Sequence, residues 1–278
     1  MFFDAHVHTP FCPHGSTDPL EAYVEKAIEN GYKGISFTEH APLPIGFTDP
    51  VPEQDSALRL EKLPDYLKAV DELKKNYQGT IDIRTGLEVD FIEGFERSTR
   101  TFLNQWGQYL DDAILSVHFL KSTNDRYICL DYNHESFQQL VDDFGSVEAV
   151  YEKYFETVRK SIRTDLGKYK PKRIGHLTLV RKFHRRFPVM DSAMQGAFDL
   201  LPIISEFNME IDANGAGVNK KDCLEPYPPL EVIRQANDLK IPIVYGSDAH
   251  VASAIAQKPN ALFEIDGLDF SKPEPYST

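Results

Sequence analysis

Residues 2–40 read FFDAHVHTPFCPHGSTDPLEAYVEKAIENGYKGISFTEH, and this stretch decides how the rest of the chain is parsed. It opens on a short run suited to a strand, FFDAHVH (2–8), and closes on another, GISFTEH (34–40). Between them, STDPLEAYVEKAIENGYKG carries the marks of a helix. Thr17 or Asp18 can serve as N-cap, Pro19 suits the first turn, apolar residues recur at 20, 24, 27 and 28, and Gly31 stops it. Strand, helix, strand is the repeating unit of a parallel sheet. Both strands end in histidine, a residue that folding alone does not ask for there.

The same alternation continues. Strand candidates follow at IDIRTGLEVD (81–90), AILSVHF (113–119), RIGHLTL (173–179), NMEIDAN (208–214) and IPIVYGSDAH (241–250). Helical patterns cover 58–77, 95–109, 136–166, 190–206 and 229–239, and no glycine-rich dinucleotide turn is present. The pattern predicts one barrel-like α/β domain over residues 1–278, with an open doubly wound sheet as the alternative. Nearly every proposed strand ends in His, Asp or Glu, and in α/β barrels the site lies at the C-terminal strand ends.

Composition narrows the possibilities. The 278 residues are 41% hydrophobic, with 18 Phe and 13 Tyr to fill a core. A chain of this size buries about 75% of its unfolded surface, so a metal is expected to serve chemistry and not folding. The net charge of −13, from 43 acidic against 30 basic residues, repels polyanions and argues against nucleic acid as a partner. It leaves room for a small phosphate ester where bound cations reverse the sign locally. The cysteines, Cys12, Cys129 and Cys223, form no CxxC and read as reduced thiols of a cytoplasmic protein. Neither a secretory leader nor an apolar run of about 18 residues is evident, so no signal peptide and no membrane partner are expected.

In extended backbone, side chains at i and i+2 point the same way. His6 and His8 therefore project together and can offer two imidazoles to one cation, with Asp4 one step earlier on the same face. Solvent-exposed histidines at a strand end are the plain alternative. FCPHG places His14 in a turn shaped by Pro13 and Gly15, from which it can fold back over the strand end. In FTEHAPLP the adjacent Glu39 and His40 face opposite sides; His40 is favoured as ligand, with Glu39 as a supporting carboxylate or, equally, a salt-bridge or capping residue. TGLEVDF offers Glu88 and Asp90 as rival bridges between two cations. LSVHFL puts His118 at the end of an apolar run, where an unpartnered imidazole is costly, and IGHLTL repeats this with His176. YGSDAH adds Asp248 and His250. Only His134 and His184 of the nine histidines fall outside this pattern, which predicts a multinuclear metal site.

DAHVHTPFCPHG, FTEHAPLP, the Glu88 segment, SVHFL, GHLTLVRKF and GSDAH together resemble the polymerase and histidinol phosphatase (PHP) superfamily, in its order, over positions 4–250. FCPHG and FTEHAPLP resemble its stand-alone histidinol-phosphate phosphatase branch. The resemblance implies a distorted (β/α)7 barrel of the PHP type holding three divalent metal ions at the C-terminal ends of the strands. It implies one ion on His6, His8, Glu88 and Asp248, a second sharing Glu88 with His118 and His176, and a third on His14, His40 and His250. Nitrogen and oxygen donors suit Zn, Mn or Fe. The ions outweigh Glu88, Asp248 and a bridging hydroxide in charge, so the pocket stays cationic inside an acidic protein.

The activity so implied is hydrolysis of L-histidinol phosphate to L-histidinol and phosphate in histidine biosynthesis, through attack of a metal-bridging hydroxide on phosphorus. A PHP phosphoesterase for another small ester or a nucleotide is the alternative, and a non-catalytic metal-binding regulatory protein a further one. Besides His40, two residues are assigned to the chemistry. Asp18 is placed for proton transfer to the leaving group, or for a plain N-cap. Arg181 is the first choice for phosphate contact, because its planar fork matches phosphate oxygens and the family uses arginines here. Lys182, Arg185 and Arg186 read as a solvated face. Where relatives carry another arginine, Asn219, Lys220 and Lys221 stand. The substrate's ammonium and imidazole call for a carboxylate and an apolar wall, for which PLPIGFTDPVPEQD (42–55) offers Phe47, Asp49 or Glu53.

Overall fold

In the computed structural model, which describes residues 2–256, 262, 265 and 267–276, the opening stretch folds as one β-α-β unit. β1 (Phe3–Val7) pairs in parallel with β2 (Gly34–His40), and α1 (Leu20–Glu29) crosses between them. The helix starts one step later than expected. Its N-cap is Pro19, with no side-chain cap, and Gly31 at φ 76° ends it. Neither Thr17 nor Asp18 is the N-cap, because Pro19 is still extended at ψ 148° and the helical turns begin only at Leu20.

The units that follow are α2 (Leu63–Asn76), β3 (Asp82–Asp90), α3 (Glu96–Trp106) and β4 (Asp112–Ser116). After them come a hairpin of β5 (Phe119–Lys121) and β6 (Tyr127–Cys129), then α4 (His134–Phe144) and α5 (Val147–Arg163). β7 (Arg173–Ile174), α6 (Gln195–Glu206), β8 (Glu210–Asn214), α7 (Leu230–Asp238) and β9 (Ile243–Gly246) complete the series. The seven parallel strands lie in the order β1-β2-β3-β4-β7-β8-β9. The ends of this sheet meet where Asp248 N–H donates to His6 O at 2.7 Å and His8 N–H to Ala249 O at 3.0 Å. The result is the expected distorted seven-stranded barrel, nearly closed, and not an open doubly wound sheet.

Three segments depart from the expected pattern. The helical pattern at 136–166 splits into α4 and α5 at Gly145, whose φ of 93° no helix interior accepts, and Ser146 caps the second helix. The run 113–119 stops as a strand at Ser116, so His118 sits in the corner before an unforeseen hairpin. RIGHLTL is a strand for only two residues. Gly175 packs so closely on Ser116 Oγ and Ile114 that a Cβ would clash, and the chain then turns into a 3-10 helix over Leu179–Phe183.

The N-terminal end of the barrel is plugged by Arg173, the first residue of β7. Its side chain is fully buried and donates to Ala5 O of β1 and Asp112 Oδ2 of β4, each at 2.9 Å, with Glu210 Oε2 of β8 at 3.9 Å. Among the described residues, no helix is long and apolar enough to cross a membrane.

Candidate metal centre

At the other end of the barrel, Glu88 of β3 lies at the middle of a ring of imidazoles. Its Oε1 is 2.8 Å from His176 Nε2 and 3.7 Å from His118 Nε2. Its Oε2 is 3.1 Å from His40 Nδ1, 3.4 Å from His6 Nε2 and 3.5 Å from His8 Nε2. Each oxygen thus faces its own set of nitrogens, the arrangement a carboxylate needs to join two cations. Asp90, the rival, points elsewhere: its Oδ1 lies 2.8 Å from His118 Nδ1 and accepts the His118 N–H.

Asp248 completes the first group, with Oδ1 3.1 Å from His8 Nε2 and 3.8 Å from His6 Nε2. Asn214 Nδ2 donates to its Oδ2 at 3.1 Å. His176 and Asp248 both hold left-handed backbone, at φ 23° and 55°, which costs energy in residues other than glycine. Gly246 lets the last strand pass close to His6 and Asp212, where any Cβ would collide.

The third group is looser. The ring of His14 lies 5.2 Å from those of His40 and His250, and its Nδ1 is bonded to Asp55 O at 2.8 Å. His8 brings its ring within 4.2 Å of His40 and 3.9 Å of His250. Donor atoms of His8, Cys12, His40 and His250 all lie within 4.8 Å of one another. Burial and the Glu39 carboxylate push the Cys12 thiol up, away from the thiolate.

The residues fit bound cations on two counts. Buried His6 Nε2, His8 Nε2 and His40 Nδ1 have no hydrogen-bond partner among the described residues, a costly state unless something electrophilic sits between them and Glu88. Meanwhile the opposite nitrogens of three rings are held by carboxylates. His6 Nδ1 meets Asp212 Oδ2 at 2.8 Å, His8 Nδ1 meets Glu39 Oε1 at 3.3 Å, and His118 Nδ1 meets Asp90. Such carboxylate–histidine pairs orient metal-ligating imidazoles. Glu39 also accepts from Thr9 and His40 backbone N–H groups, which makes it the supporting carboxylate of His8.

The electrostatics agree. Burial alone would raise the Glu88 carboxyl, but His6, His118 and His40 outweigh it and hold it well below the ordinary range. Burial would lower His8 and His118, yet their carboxylate neighbours push them up to about 9 and about 10. The carboxylates that attract protons here carry the charge that would attract a cation to the same place.

Asp212 is the residue that strand-end reading passed over. It lies in β8 inside NMEIDAN, at i, i+2 from Asn214, the same spacing that exposed His6 and His8. Asp212→Asn should weaken metal binding by about 10–100-fold while the barrel stays folded, measured by competition with a chelator and by circular dichroism. Unchanged affinity would show that the His6 pair is incidental.

Two expected residues are elsewhere. Asp18 neither caps α1 nor lines the cavity; its Oδ2 accepts the Ala252 N–H at 2.9 Å and pins the segment after His250. Arg181 is not among the residues that line the cavity; its Nε is paired with Glu225. It belongs to a clamp in which His184 Nε2 meets Cys223 O at 2.9 Å and Arg185 N–H donates to Asp222 O at 3.1 Å. His134 Nε2 adds a contact to Asp222 Oδ2 at 2.8 Å. The two histidines outside the metal pattern thus fasten the loop that carries Asn219 and Lys220 to the cavity wall. Lys182, read as solvated, lines that wall instead, with its Nζ 2.9 Å from Asp131 Oδ2. The 3-10 turn after His176 reverses which neighbour faces in.

The cavity over these groups has a volume of about 560 Å³. Parallel barrel and clustered imidazoles define the class: an α/β barrel built around a metal centre at its C-terminal strand ends. A family model described as the PHP domain matches residues 4–216. The histidinol-phosphatase of Bacillus subtilis (strain 168) is 48% identical over 263 residues, covering 94% of this chain and 98% of that protein. The chain belongs to the PHP family. Its structure is similar to that of a candidate histidinol phosphatase from Listeria monocytogenes, with a TM-score of 0.89, 36% identity, and coverage of 93% and 99% of the two chains. The histidinol phosphate phosphatase of Lactococcus lactis, solved with zinc, L-histidinol and phosphate, shares the fold at a TM-score of 0.70 and 18% identity, over 99% of this chain and 97% of that one.

Proposed function

We propose that this protein is a metal-dependent phosphoric monoester hydrolase that converts L-histidinol phosphate to L-histidinol and phosphate in histidine biosynthesis. The observation that carries the reading is the 48% identity to a histidinol-phosphatase over nearly the full length of both chains. The two sets of imidazoles that the Glu88 oxygens face support the same chemistry.

In this reading residues 1–278 act as one domain, and three divalent ions of zinc, manganese or iron complete the site. His6, His8, Glu88 and Asp248 hold one, Glu88, His118 and His176 a second, and His14, His40 and His250 the third. When bound, the ions supply Lewis acidity, which activates water for attack and neutralises charge gathering on a phosphate. The chain's own residues do the rest. Asp212, Glu39 and Asp90 fix the rings of His6, His8 and His118, so the opposite nitrogens stay aimed at Glu88. Lys182 offers its ammonium to the phosphate from the wall, held by Asp131. Leu179 and Ala254 thin the water around the reacting group. Cys12, Cys129 and Cys223 are all unpaired, which suits a reducing cytoplasm.

Elemental analysis of the purified protein, paired with phosphate release from histidinol phosphate and from nucleoside monophosphates, tests this. More than one transition-metal ion per chain and preferred turnover of histidinol phosphate are expected. Preference for nucleotides, or near-zero bound metal, would overturn it.

A further inference from the structure

The wall beside Lys182 is built from two loops. One follows β2 and brings Val51, Glu53 and Asp55; the other follows β6 and brings Cys129 and Tyr132. Four residues of the first loop, Phe47, Asp49, Glu53 and Asp55, are of a kind that could recognise an organic cation, and two of them are already committed. Phe47 is packed among the rings of Phe95, Phe119 and Tyr127, at 5.3, 5.2 and 5.1 Å. Asp49 spends both oxygens on folding the loop, accepting from Val51 N–H at 2.9 Å and from Ser56 N–H and Oγ at 3.0 Å. Glu53 and Asp55 remain. Glu53 lines the cavity, faces no basic side chain within ion-pair distance among the described residues, and has its Oε2 held by the Tyr132 hydroxyl at 2.8 Å.

We infer that Glu53, positioned by Tyr132, is the carboxylate that selects phosphate monoesters carrying a cationic group near the ester. The inference rests on the phosphatase reading above and names how that site chooses its substrate. Distance supports it. The loop touches the metal centre where Asp55 O meets His14 Nδ1, and two residues of chain reach about 7 Å at most. Glu53 therefore lies on the His14 side of the cavity, next to the edge of the metal centre. Charge supports it as well. Asp131 is neutralised by Lys182, so Glu53 is left, with Asp55, as a carboxylate on this wall that has no ion pair among the described residues, repels a phosphate and attracts an ammonium or imidazolium. A substrate with both groups can lie only one way round.

The test compares histidinol phosphate with p-nitrophenyl phosphate, which has no cation, in the metal-loaded protein. In Glu53→Gln the ratio of kcat/KM for histidinol phosphate to that for p-nitrophenyl phosphate should fall by about tenfold or more, through KM for histidinol phosphate. Tyr132→Phe should move the same ratio the same way by a smaller factor. An unchanged ratio in Glu53→Gln, or a ratio moved by Asp55→Asn and not by Glu53→Gln, would overturn the inference and leave the phosphatase reading standing. A wild-type protein that cleaves p-nitrophenyl phosphate but not histidinol phosphate would overturn both.

Discussion

Glu88→Gln is expected to lower phosphate release by roughly a thousandfold and to cut the metal retained per chain. The substitution keeps size and shape but removes the charge that two sets of imidazoles surround. An amide presents one oxygen and one NH2 group, so it can face His176 and His118 or His40, His6 and His8, but not both as an acceptor. Ser116 Oγ, which donates to Oε1 at 2.6 Å, would hold whichever rotamer keeps an oxygen there. Asp90→Asn is the companion variant. Because Asp90 only supports His118, its loss should be about 10–100-fold. Equal losses, or full metal content in Glu88→Gln, would mean that Glu88 is not the shared ligand.

Arg173→Met should destabilise the fold by about 3–5 kcal/mol, the cost of leaving buried charges without their partner. Asp112 and Glu210 are both buried, and the guanidinium that serves them also ties β7 to the Ala5 carbonyl across the barrel. Thermal denaturation should show a midpoint lowered by roughly 10 °C. The double variant Arg173→Met with Asp112→Leu should recover part of that loss, because an apolar pair in place of a buried ion pair is often neutral. A midpoint unchanged in the single variant would show that water reaches the barrel floor. Metal content should be unaffected by partial destabilisation below the midpoint, since the plug and the centre lie at opposite ends of the strands.

How far the residues alone carry the fold can be seen strand by strand. β2 and β3 were legible nearly to the residue, because each is a continuous buried run and buried parallel strands need no alternation. β7 was not. RIGHLTL has the same apolar look, but its third residue packs against Ser116, a contact made by a strand some 60 positions earlier. The split of the 136–166 helix was marked by Gly145 and Ser146, signals that a long amphipathic pattern concealed.

The site divides in the same way. Ligand chemistry is a property of residue type and of local periodicity. HVH, EVD, SVHF and SDAH therefore announced a metal centre from the sequence, and the tertiary structure brings all of those side chains to one end of the barrel. Residue types and their local spacing establish the chemical inventory and the parallel-strand frame that collects it. Packing between distant segments sets direction. It set Glu88, not Asp90, between the two imidazole groups, put Asp212 behind His6, brought Lys182 and not Arg181 to the cavity wall, and left Glu53 uncommitted there. Those choices depend on contacts between segments tens to hundreds of residues apart, and on backbone turns at His176 and Asp248 that no local propensity favours.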